Sequence, residues 1–451
     1  MTSPKKAGFH ILRLEPASFD RRRLVSLLGL SGAVLLEGWS DAGAWSVALP
    51  WPEEVVTLPW SAAGEWASLV REIEAPRGES GGVGFHGSPE PLAGAPFLGG
   101  WVGFVCYDAG ALTEGSSGRT EYSDEPAAWF ARHESGIVVD PGGMPWLFGP
   151  RAASGPGDLG TWGPRDLRIS GRVWHGAGGI DDSMGFGGYS EGVERIRGLI
   201  RDGEVYQVNL TRRLAVRGSF EAKDLYLGLT DPAPPRCAAF INGGDWAIAS
   251  ASPEVLLEYD RWSGVAESRP IKGTVRRSGN DVEEIARLVA SEKDASEHLM
   301  IVDLVRNDLG KVAPPGRVTV PAYRTIRTLP YVHHLESSVR AEGIDGCSTA
   351  DVLAALFPGG SITGAPKRAA VTTIRELEPC ARGVYTGAIG YLDDRGRSSF
   401  SVAIRTAVVT PGGARYHAGG GIVWDSDPDE EDQEAMTKAE PFLRVVREGW
   451  K

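Results

Sequence analysis

The stretch Glu267-Ser268-Arg269-Pro270-Ile271-Lys272-Gly273-Thr274 places one lysine directly before a glycine in a short extended segment. Pro270 favours an extended conformation for the residue before it, and Gly273 lets the backbone pass close to a ligand. These features predict a fixed support that holds Lys272 at the floor of a cleft. A lysine amine becomes a nucleophile only when desolvation or nearby positive charge lowers its pKa. The alternative is a solvated strand lysine, because lysine is rarely buried.

Two helices with inward-facing acids are predicted downstream of this lysine. In the predicted helix Asp294–Asp308, Glu297 shares the apolar stripe, and a buried carboxylate needs an arginine, a proton or a metal as its partner. On the C-terminal helix, Glu431, Glu434 and Lys438 lie on one face. If the two helices meet at one cleft, their oxygen ligands suit Mg²⁺. The alternatives are a salt bridge from Glu297 to an internal arginine and a solvated face on the last helix.

Four further features could bind an anion or move a proton. Gly419-Gly420-Gly421 follows a predicted strand and can bring backbone N–H groups close to an anion, although triple glycine more commonly forms a flexible turn. The stretch Gly359–Lys367 leads into a helix N-terminus, which favours negative charge or is an ordinary helix entry, and it lacks Walker A spacing. Arg405 interrupts an apolar strand and requires a carboxylate, either structural or from a substrate. Glu254 is either a general acid or base or a turn cap.

Length and charge narrow the class of protein. A chain of 451 residues predicts two or three domains, or one large α/β unit. Its 42% hydrophobic and 24% charged residues are typical of a globular protein. A net charge of −12 argues against nucleic-acid binding, because phosphates require a basic face. An anionic substrate would therefore need locally concentrated positive charge or a bound cation.

Cysteine spacing and hydropathy bear on the compartment. The four cysteines show neither metal-ligand spacing nor a dense disulfide pattern, which favours a reducing cytoplasm. The N-terminus lacks a signal-peptide core, and no run reaches the ~20 apolar residues of a membrane span. We therefore expect a cytoplasmic protein that binds no membrane.

Composition divides the chain into three regions. Residues 1–150 show short β-type runs between Gly- and Pro-rich turns, residues 151–185 form a Gly/Pro-rich linker, and residues 186–451 are mixed α/β. The predicted helices of the last region are Tyr189–Asp202, Asp281–Ser291, Asp294–Asp308, Pro366–Leu377 and a helix from Asp427 onward. Its predicted strands are Val205–Leu210, Ala388–Tyr391, Ser399–Val409 and Tyr416–His417. Helices set against an extensive sheet are expected.

Taken together, these segments resemble the chorismate-utilising enzymes, which include anthranilate, aminodeoxychorismate, isochorismate and salicylate synthases. The resemblance runs from about Phe186 to the C-terminus and is looser in LLEGW (35–39) and GGWVGFVCYDAG (99–110). The motifs that carry it are GEVYQVNL (203–210), SPE (252–254), PIKGT (270–274), EHLMIVDLVRNDLG (297–310), YVHHLESS (331–338), FPGGSITGAPKRAA (357–370), YTGAIGY (385–391), VAIRTAVV (402–409) and HAGGGIVWDSDP (417–428). So many ordered matches make chance negligible.

The resemblance implies a fold and a reaction. The implied fold is α+β, the anthranilate synthase component I-like fold of two packed, antiparallel-rich β-sheets flanked by helices. Family members that make anthranilate usually have alanine where this chain has Lys272, whereas PIKGT is similar to the aminodeoxychorismate synthases. The implied chemistry is attack of the Lys272 amine on C2 of chorismate with loss of the C4 hydroxyl, followed by entry of ammonia at C4. The product would be 4-amino-4-deoxychorismate, a precursor of 4-aminobenzoate and folate.

The resemblance also implies roles for individual residues. Glu254 resembles the general acid/base, and Glu297 and Glu434 resemble the Mg²⁺ ligands, with Glu431 nearby through water. The residues that resemble groups binding the chorismate carboxylates or lining the site are Tyr385, Arg405, Gly419, Gly420, Gly421, Lys438, Ser361, Thr363, Thr274 and His334. One Mg²⁺ and a few cations in a water-poor cleft would outweigh an acidic exterior.

Two departures from the family pattern carry expectations of their own. Gly38 follows the LLE motif where relatives often have serine, in the part of the chain that forms the family's tryptophan-binding pocket. The chain also carries no glutaminase segment with a nucleophilic cysteine, so ammonia is expected from a separate glutamine amidotransferase subunit or from solution. The alternatives to a synthase acting at C4 are anthranilate synthase component I and a catalytically silent subunit that binds chorismate or an amidotransferase.

Overall fold

Two large antiparallel β-sheets form the frame of the molecule. The structure, a computed structural model, describes residues 9–15, 20–41, 43–75, 91–115, 124–154, 174–175, 179–328 and 332–448. Within these ranges, one sheet has twelve strands and the other has ten, and every paired neighbour is antiparallel. With eleven α-helices described alongside them, the chain is α+β, as predicted.

The first sheet combines strands from both ends of the chain. In spatial order it contains β1 (Ile11–Arg13), β8 (Pro145–Phe148), β7 (Gly136–Val139), β3 (Ser46–Leu49), β2 (Val34–Glu37), β13 (Ala238–Asn242), β14 (Ala247–Ala251), β23 (Thr406–Thr410), β24 (Gly413–Ile422), β11 (Gln207–Arg217) and β10 (Ile180–Asp182), with β20 (Gly364–Ala365) paired to β11. The long strands β11 and β24 pair from Val208 opposite Ile422 to Arg217 opposite Gly413. This pair provides one wall of the candidate site.

The second sheet provides the opposite wall. In spatial order it contains β17 (Ile271–Arg276), β19 (Val332–Ala341), β16 (Val265–Arg269), β15 (Val255–Asp260), β22 (Arg397–Val402), β21 (Ala388–Asp393), β5 (Gly100–Val105), β6 (Ala128–His133) and β4 (Glu54–Leu58), with β18 (Val318–Thr328) also paired to β19. A separate two-stranded sheet joins β9 (Trp174–His175) to β12 (Ser219–Phe220). The strand that carries Lys272, β17, lies at one end of the order.

An apolar layer joins the two sheets face to face. Alternate residues of a strand point to opposite faces, so Val34 and Leu36 of β2 face this layer, while Leu35 faces the other side. From the second sheet, Val102 and Phe104 enter the same layer. The Phe104 ring packs edge-on against Trp246, with 5.5 Å between ring centroids. Burial of both inner faces fixes the position of one sheet on the other.

Helices cover the outer faces. They are α1 (Arg21–Ser26), α2 (Trp66–Glu74), α3 (Tyr107–Thr113), α4 (Gly185–Arg201), α5 (Ala222–Leu229), α6 (Asp281–Ala290), α7 (Glu292–Leu309), α8 (Thr349–Leu356), α9 (Gly360–Thr363), α10 (Lys367–Leu377) and α11 (Pro428–Glu448), with 3₁₀ turns at Trp60–Glu65 and Pro150–Ser154. Phe442 of α11 stacks on Tyr416 of β24 at 5.0 Å, which holds α11 against the first sheet. None of the described helices is both long and apolar enough to span a bilayer.

The predicted helices agree with the observed ones to within a few residues, and Pro366 lies one residue before α10 as its N-cap. The predicted strand Ser399–Val409 is wrong as one element, because β22 ends at Val402 and β23 begins at Thr406. Arg405 lies in the break and adopts a left-handed φ of 51°. The chain therefore crosses from the second sheet to the first at this point, and Arg405 is on the crossover.

Residues before and after the predicted linker share both sheets. Strand β2 pairs with β13, and β5 pairs with β21. Within the linker prediction of residues 151–185, positions 155–173 and 176–178 lie outside the described residues. The division of the chain into regions 1–150, 151–185 and 186–451, which was inferred from composition, stays a prediction.

Candidate functional site

A bulge in β17 directs the Lys272 side chain towards helix α7. The register of β17 against β19 shifts between Ile271 and Thr274, and Gly273 within the bulge has a φ of 88°, which favours glycine. The Lys272 Nζ atom lies 2.6 Å from Glu297 Oε2, and only 20% of the lysine side chain is exposed. The predicted support for Lys272 is therefore present, and its amine faces protein rather than bulk water.

The contacts of Lys272 in the described structure favour its charged form. Burial acts to lower the pKa of the amine, but the adjacent Glu297 carboxylate, with contributions from Glu434 and Glu431, raises that pKa above its usual value. The structure thus holds an ammonium–carboxylate pair where the sequence predicted a lowered pKa. Glu297 is buried, as its position in the apolar stripe predicted, but its partner is this lysine rather than an arginine.

Glu254 lies in the same region at the start of β15. The residue is 5% exposed, and its Oε1 accepts a hydrogen bond of 2.6 Å from Ser361 Oγ. Burial raises the pKa of Glu254 to about 7, against the opposing effects of the Ser361 hydrogen bond and the Lys272 charge. A carboxyl group with a pKa near neutrality can both donate and accept a proton. Ser361, in the stretch Gly359–Lys367, thus orients the Glu254 carboxyl group.

His334 and Thr274 face each other across β17 and β19. The Thr274 hydroxyl and His334 Nδ1 share a hydrogen bond of 2.6 Å. Burial, aided by the charge of Arg405, lowers the pKa of His334 to about 3, so the ring is neutral at physiological pH. Its Nε2 atom is buried without a hydrogen-bond partner among the described residues. A neutral imidazole with one unused nitrogen is available to a substrate.

Each predicted metal ligand already has a protein partner. Lys438 Nζ lies 2.7 Å from Glu434 Oε1 and donates a hydrogen bond to Gly419 O. The buried Glu431 accepts a hydrogen bond of 2.7 Å from Ser426 Oγ. Among the described residues, the carboxylates of Glu297, Glu431 and Glu434 do not all come within 4.8 Å of one another. They surround the lysine closely enough to shift its pKa but do not form a tight triad.

The donor set nevertheless fits Mg²⁺, which takes oxygen ligands and retains several waters. A Cβ atom built on Gly420 would lie 3.1 Å from Glu431 Oε2 and 4.0 Å from Glu434 Oε1. The missing side chain therefore keeps the space between these two acids and strand β24 clear. Loosely grouped carboxylates with space beside them match an ion that keeps several waters.

The glycine run Gly419-Gly420-Gly421 is not a turn. All three residues lie inside β24, buried and paired with Thr211, Leu210 and Asn209 of β11. A Cβ atom on Gly421 would approach Lys272 Nζ to 2.9 Å and Gln207 Nε2 to 2.3 Å. The strand thus consists of bare backbone where it passes the lysine, because any side chain at Gly421 would occupy the site.

Arg405 and Tyr385 complete the wall of the site. The Arg405 guanidinium makes no hydrogen bond or ion pair with any described residue, although it lies close enough to His334 to lower that pKa. The Tyr385 ring stacks on His417 at 5.1 Å, and burial raises the pKa of its phenol. Of the two partners predicted for Arg405, a structural carboxylate is not found within the described ranges.

Thr363, a predicted site residue, makes only local contacts, whereas Gln207 lies at the site but was not predicted from the sequence. Thr363 is fully buried and donates a hydrogen bond to Gly359 O. Gln207, at the start of β11, was not predicted, although both of its amide atoms are buried without a partner in the described structure and Nε2 lies beside the Gly421 position. Its signal in the sequence is a polar residue two positions before Asn209, on the same strand face.

Comparison with known proteins places the chain in a family. A model of the chorismate binding enzyme family matches residues 79–444. The chain belongs to this family. It is 36% identical over 365 residues to aminodeoxychorismate synthase component 1 of Klebsiella aerogenes, a match that covers 79% of each protein. The predicted resemblance to aminodeoxychorismate synthase component I is confirmed.

Other family members match this chain over shorter stretches of sequence, or superpose on its structure. Aminodeoxychorismate synthase of Streptomyces pristinaespiralis is 43% identical over 263 residues, which cover 58% of this chain and 36% of that protein. The chain spans between 36% and 57% of the length of several such relatives. The crystal structure of anthranilate synthase component I from Streptococcus pneumoniae superposes with a TM-score of 0.73 at 26% identity, over 98% of this chain and 94% of that one. The predicted anthranilate synthase component I-like fold is confirmed.

Proposed function

We propose that this chain is the synthase component that converts chorismate and ammonia to 4-amino-4-deoxychorismate, for the synthesis of 4-aminobenzoate and folate. The observation that carries the proposal is the Lys272 amine, which is held inside the site between Glu297 and the bare strand at Gly421. Relatives that make anthranilate usually have alanine at this position. The naming of the Klebsiella relative supports the same conclusion.

The proposed reaction has two displacements. The Lys272 ammonium first releases a proton to solvent, which it regains at the end of the cycle. The free amine then forms a bond to C2 of chorismate while the C4–O bond breaks, and the two ring double bonds, C1=C2 and C5=C6, move to C1=C6 and C4=C5. Glu254, whose pKa of about 7 leaves it partly protonated at neutral pH, donates the proton that lets the hydroxyl depart as water. Ammonia then bonds to C4 while the C2–Nζ bond breaks, and the excess proton of the ammonia nitrogen returns to Glu254. The net change exchanges a hydroxyl group for an amino group.

The substrate carboxylates are assigned to polar groups that line the wall of the site. Arg405 supplies a guanidinium that no described carboxylate neutralises, and such a donor binds a carboxylate in a bidentate manner. We assign Tyr385, Lys438, Thr274, Thr363 and the backbone of Gly419–Gly421 to the same binding surface. His334, a neutral imidazole with a free Nε2, would donate or accept one hydrogen bond at the ring.

A magnesium ion is part of the proposal. Glu297 and Glu434 would hold it directly and Glu431 through water, and when bound it would supply positive charge to a substrate carboxylate. The acids themselves give this side of the site a negative charge that Lys272 and Lys438 offset in part.

The ammonia source is proposed from the family. The Klebsiella relative is named as component 1, which supports a partner subunit, and we propose a glutamine amidotransferase that supplies ammonia. A cytoplasmic location is proposed because Cys106, Cys237 and Cys347 are free thiols, and free thiols are typical of a reducing compartment.

The test is the identity of the product formed from chorismate, Mg²⁺ and ammonium. We expect 4-amino-4-deoxychorismate by mass spectrometry, and an adduct on Lys272 during turnover. Lys272→Ala should lose 4-amination by several orders of magnitude while it still binds chorismate, because the covalent route disappears. Lys311→Ala, at an exposed lysine two residues beyond the end of α7, is the matched control and should keep its rate.

The rival function is anthranilate synthase, which the superposed Streptococcus pneumoniae structure favours. That enzyme would release pyruvate and fluorescent anthranilate from the same mixture. Fluorescent product from the wild-type chain, or near-normal 4-amination by Lys272→Ala, would refute the proposal. Tight chorismate binding without turnover would indicate a catalytically silent subunit instead.

A further inference from the structure

A second group of metal-ligating side chains lies outside the carboxylate site. Asp281 is the first residue of α6, Glu284 follows one turn later on the same face, and His333 is on β19. One ligand atom from each of the three lies within 4.8 Å of the other two, and no other group of this kind is found in the described part of the chain. Glu284 and His333 are buried, whereas Asp281 is half exposed.

Two of the three atoms that face one another in this group make no hydrogen bond, whereas the third, Asp281 Oδ1, accepts one of 3.0 Å from Arg277 Nε. His333 Nε2 lies 3.3 Å from Asp281 Oδ1 and 3.8 Å from Glu284 Oε2. Both His333 Nε2 and Glu284 Oε2 are buried without a hydrogen-bond partner in the described ranges, and their residues are 0% and 6% exposed. Unused buried polar atoms are uncommon in folded proteins and call for a ligand or an ion.

The far atoms of the same three side chains are held in place by other residues. Arg277 pairs with Asp281, and its Nη2 lies 2.7 Å from Oδ2. Glu284 Oε1 accepts a hydrogen bond of 2.8 Å from the Ser278 backbone N–H. His333 Nδ1 shares a hydrogen bond of 2.9 Å with the Thr328 hydroxyl. Such outer contacts orient the ligands of metal sites and fix the imidazole tautomer.

We propose that Asp281, Glu284 and His333 bind one divalent transition-metal ion of the Zn²⁺ class. Two carboxylate oxygens and one imidazole nitrogen are a three-ligand set that leaves a fourth position to water. The imidazole favours zinc and its neighbours over Mg²⁺, which prefers oxygen alone. The exposed side of Asp281 gives the ion a path from solvent.

The ion would fasten α6 to β19 next to the strand that carries Lys272. His333 pairs with Val275 of β17, and beneath the cluster only a small apolar group, Val275, Leu288 and Leu335, packs α6 onto the sheet. A metal bond at this corner therefore stabilises a contact that little apolar burial supports. The site is structural and takes no part in the proposed reaction.

The test is Zn²⁺ binding by the full-length chain with Mg²⁺ in excess, measured by equilibrium dialysis and isothermal titration calorimetry. We expect one tightly bound Zn²⁺ per chain. His333→Gln and the nearly isosteric Glu284→Gln should each weaken binding at least ~100-fold, beyond the loss of ~10–100-fold that removal of an outer contact causes. His10→Gln, at an exposed histidine, and Glu434→Gln, in the carboxylate site, should keep the wild-type stoichiometry.

Bound Co²⁺ gives an independent readout, because its visible absorption bands report four-coordinate geometry and disappear when a ligand is lost. Wild-type chain without a Zn²⁺ stoichiometry of one would overturn the proposal and leave a histidine–carboxylate ion pair. Retention of tight binding in both His333→Gln and Glu284→Gln would also overturn it. Circular dichroism of each variant shows whether a loss of binding reflects loss of the fold.

Discussion

At the scale of single residues, Glu254 couples stability to pH. Its pKa is raised from 4.5 to about 7 in the folded chain, so the folded state holds a proton that the unfolded state releases. Stability is therefore lost as pH rises through this interval, by up to about 3 kcal/mol. Glu254→Gln cannot ionise, and we expect its free energy of unfolding to rise relative to wild type between pH 4 and pH 8. Urea titrations across this range measure the difference.

A matched substitution at an exposed glutamate separates the effect of burying Glu254 from the effect of removing one negative charge. Glu204 is exposed, so the difference between Glu204→Gln and wild type should change little over the same range. If the Glu254→Gln difference were equally flat, the carboxyl group would titrate near its ordinary value, and its role as a proton donor at neutral pH would be lost.

The Arg405 guanidinium makes no ion pair with any described residue. We expect Arg405→Gln to weaken chorismate binding by ~10–100-fold, because a hydrogen bond to a charged group contributes about 1.5–3 kcal/mol. Isothermal titration calorimetry with chorismate and Mg²⁺ measures the change. Arg201→Gln, at an exposed arginine already paired with Asp202, should leave the affinity unchanged. Equal affinities for wild type and Arg405→Gln would place the substrate elsewhere.

At the scale of elements, the glycines of strand β24 leave space that the site requires. A Cβ atom at Gly421 would lie 2.3 Å from Gln207 Nε2 and 2.9 Å from Lys272 Nζ, closer than real contacts allow. Gly421→Ala should therefore abolish amination and chorismate binding, with a smaller loss of stability because the obstructing atoms are ends of side chains. Gly412→Ala, whose nearest neighbour would be 3.9 Å away, should retain activity. Activity assays together with thermal unfolding of both variants distinguish the two effects.

The spacing of apolar residues and the residues at helix ends predicted the helices well, because both depend only on the sequence of the helix itself. The inward position of Glu297 in α7 follows from its place in the apolar stripe, and burial is observed. The identity of its partner does not follow, because Lys272 approaches only after the bulge at Gly273 turns β17 towards α7. The pKa of Lys272 depends on this contact between β17 and α7, so it cannot be predicted from the sequence of either segment alone.

The run Ser399–Val409 shows the same limit for strands. Apolar, β-favouring residues such as Phe400, Val402 and Val408 recur along the run, so the pattern predicts one strand, yet the chain leaves one sheet and enters the other within it. The left-handed conformation of Arg405 marks the crossover. A flexible turn was one of two alternatives for Gly419–Gly421, because glycine permits turns, but ten consecutive pairs between β24 and β11 impose a strand. In both cases sheet pairing overrides local preference.

At the scale of the whole molecule, the two sheets tie the first 150 residues to the rest. Strand β2 covers the edge of β13, and β5 covers the edge of β21. The apolar layer between the sheets also draws residues from both halves, among them Val34 and Ile389. Although composition suggests a separate N-terminal region, its strands are integral to both sheets. The frame that positions Lys272 therefore depends on segments far from it in sequence.

We therefore expect residues 151–451, produced alone, not to fold. Without residues 1–150, the edges of β13 and β21 present unpaired backbone groups, which promote aggregation, and the inter-sheet layer loses one side. Size-exclusion chromatography and near-ultraviolet circular dichroism should show aggregated material without fixed tertiary structure, whereas the full chain should unfold in one cooperative transition. Co-expression with residues 1–150 is the control and should restore soluble, chorismate-binding protein. A monomeric fragment 151–451 with its own cooperative transition would instead establish an independent catalytic domain.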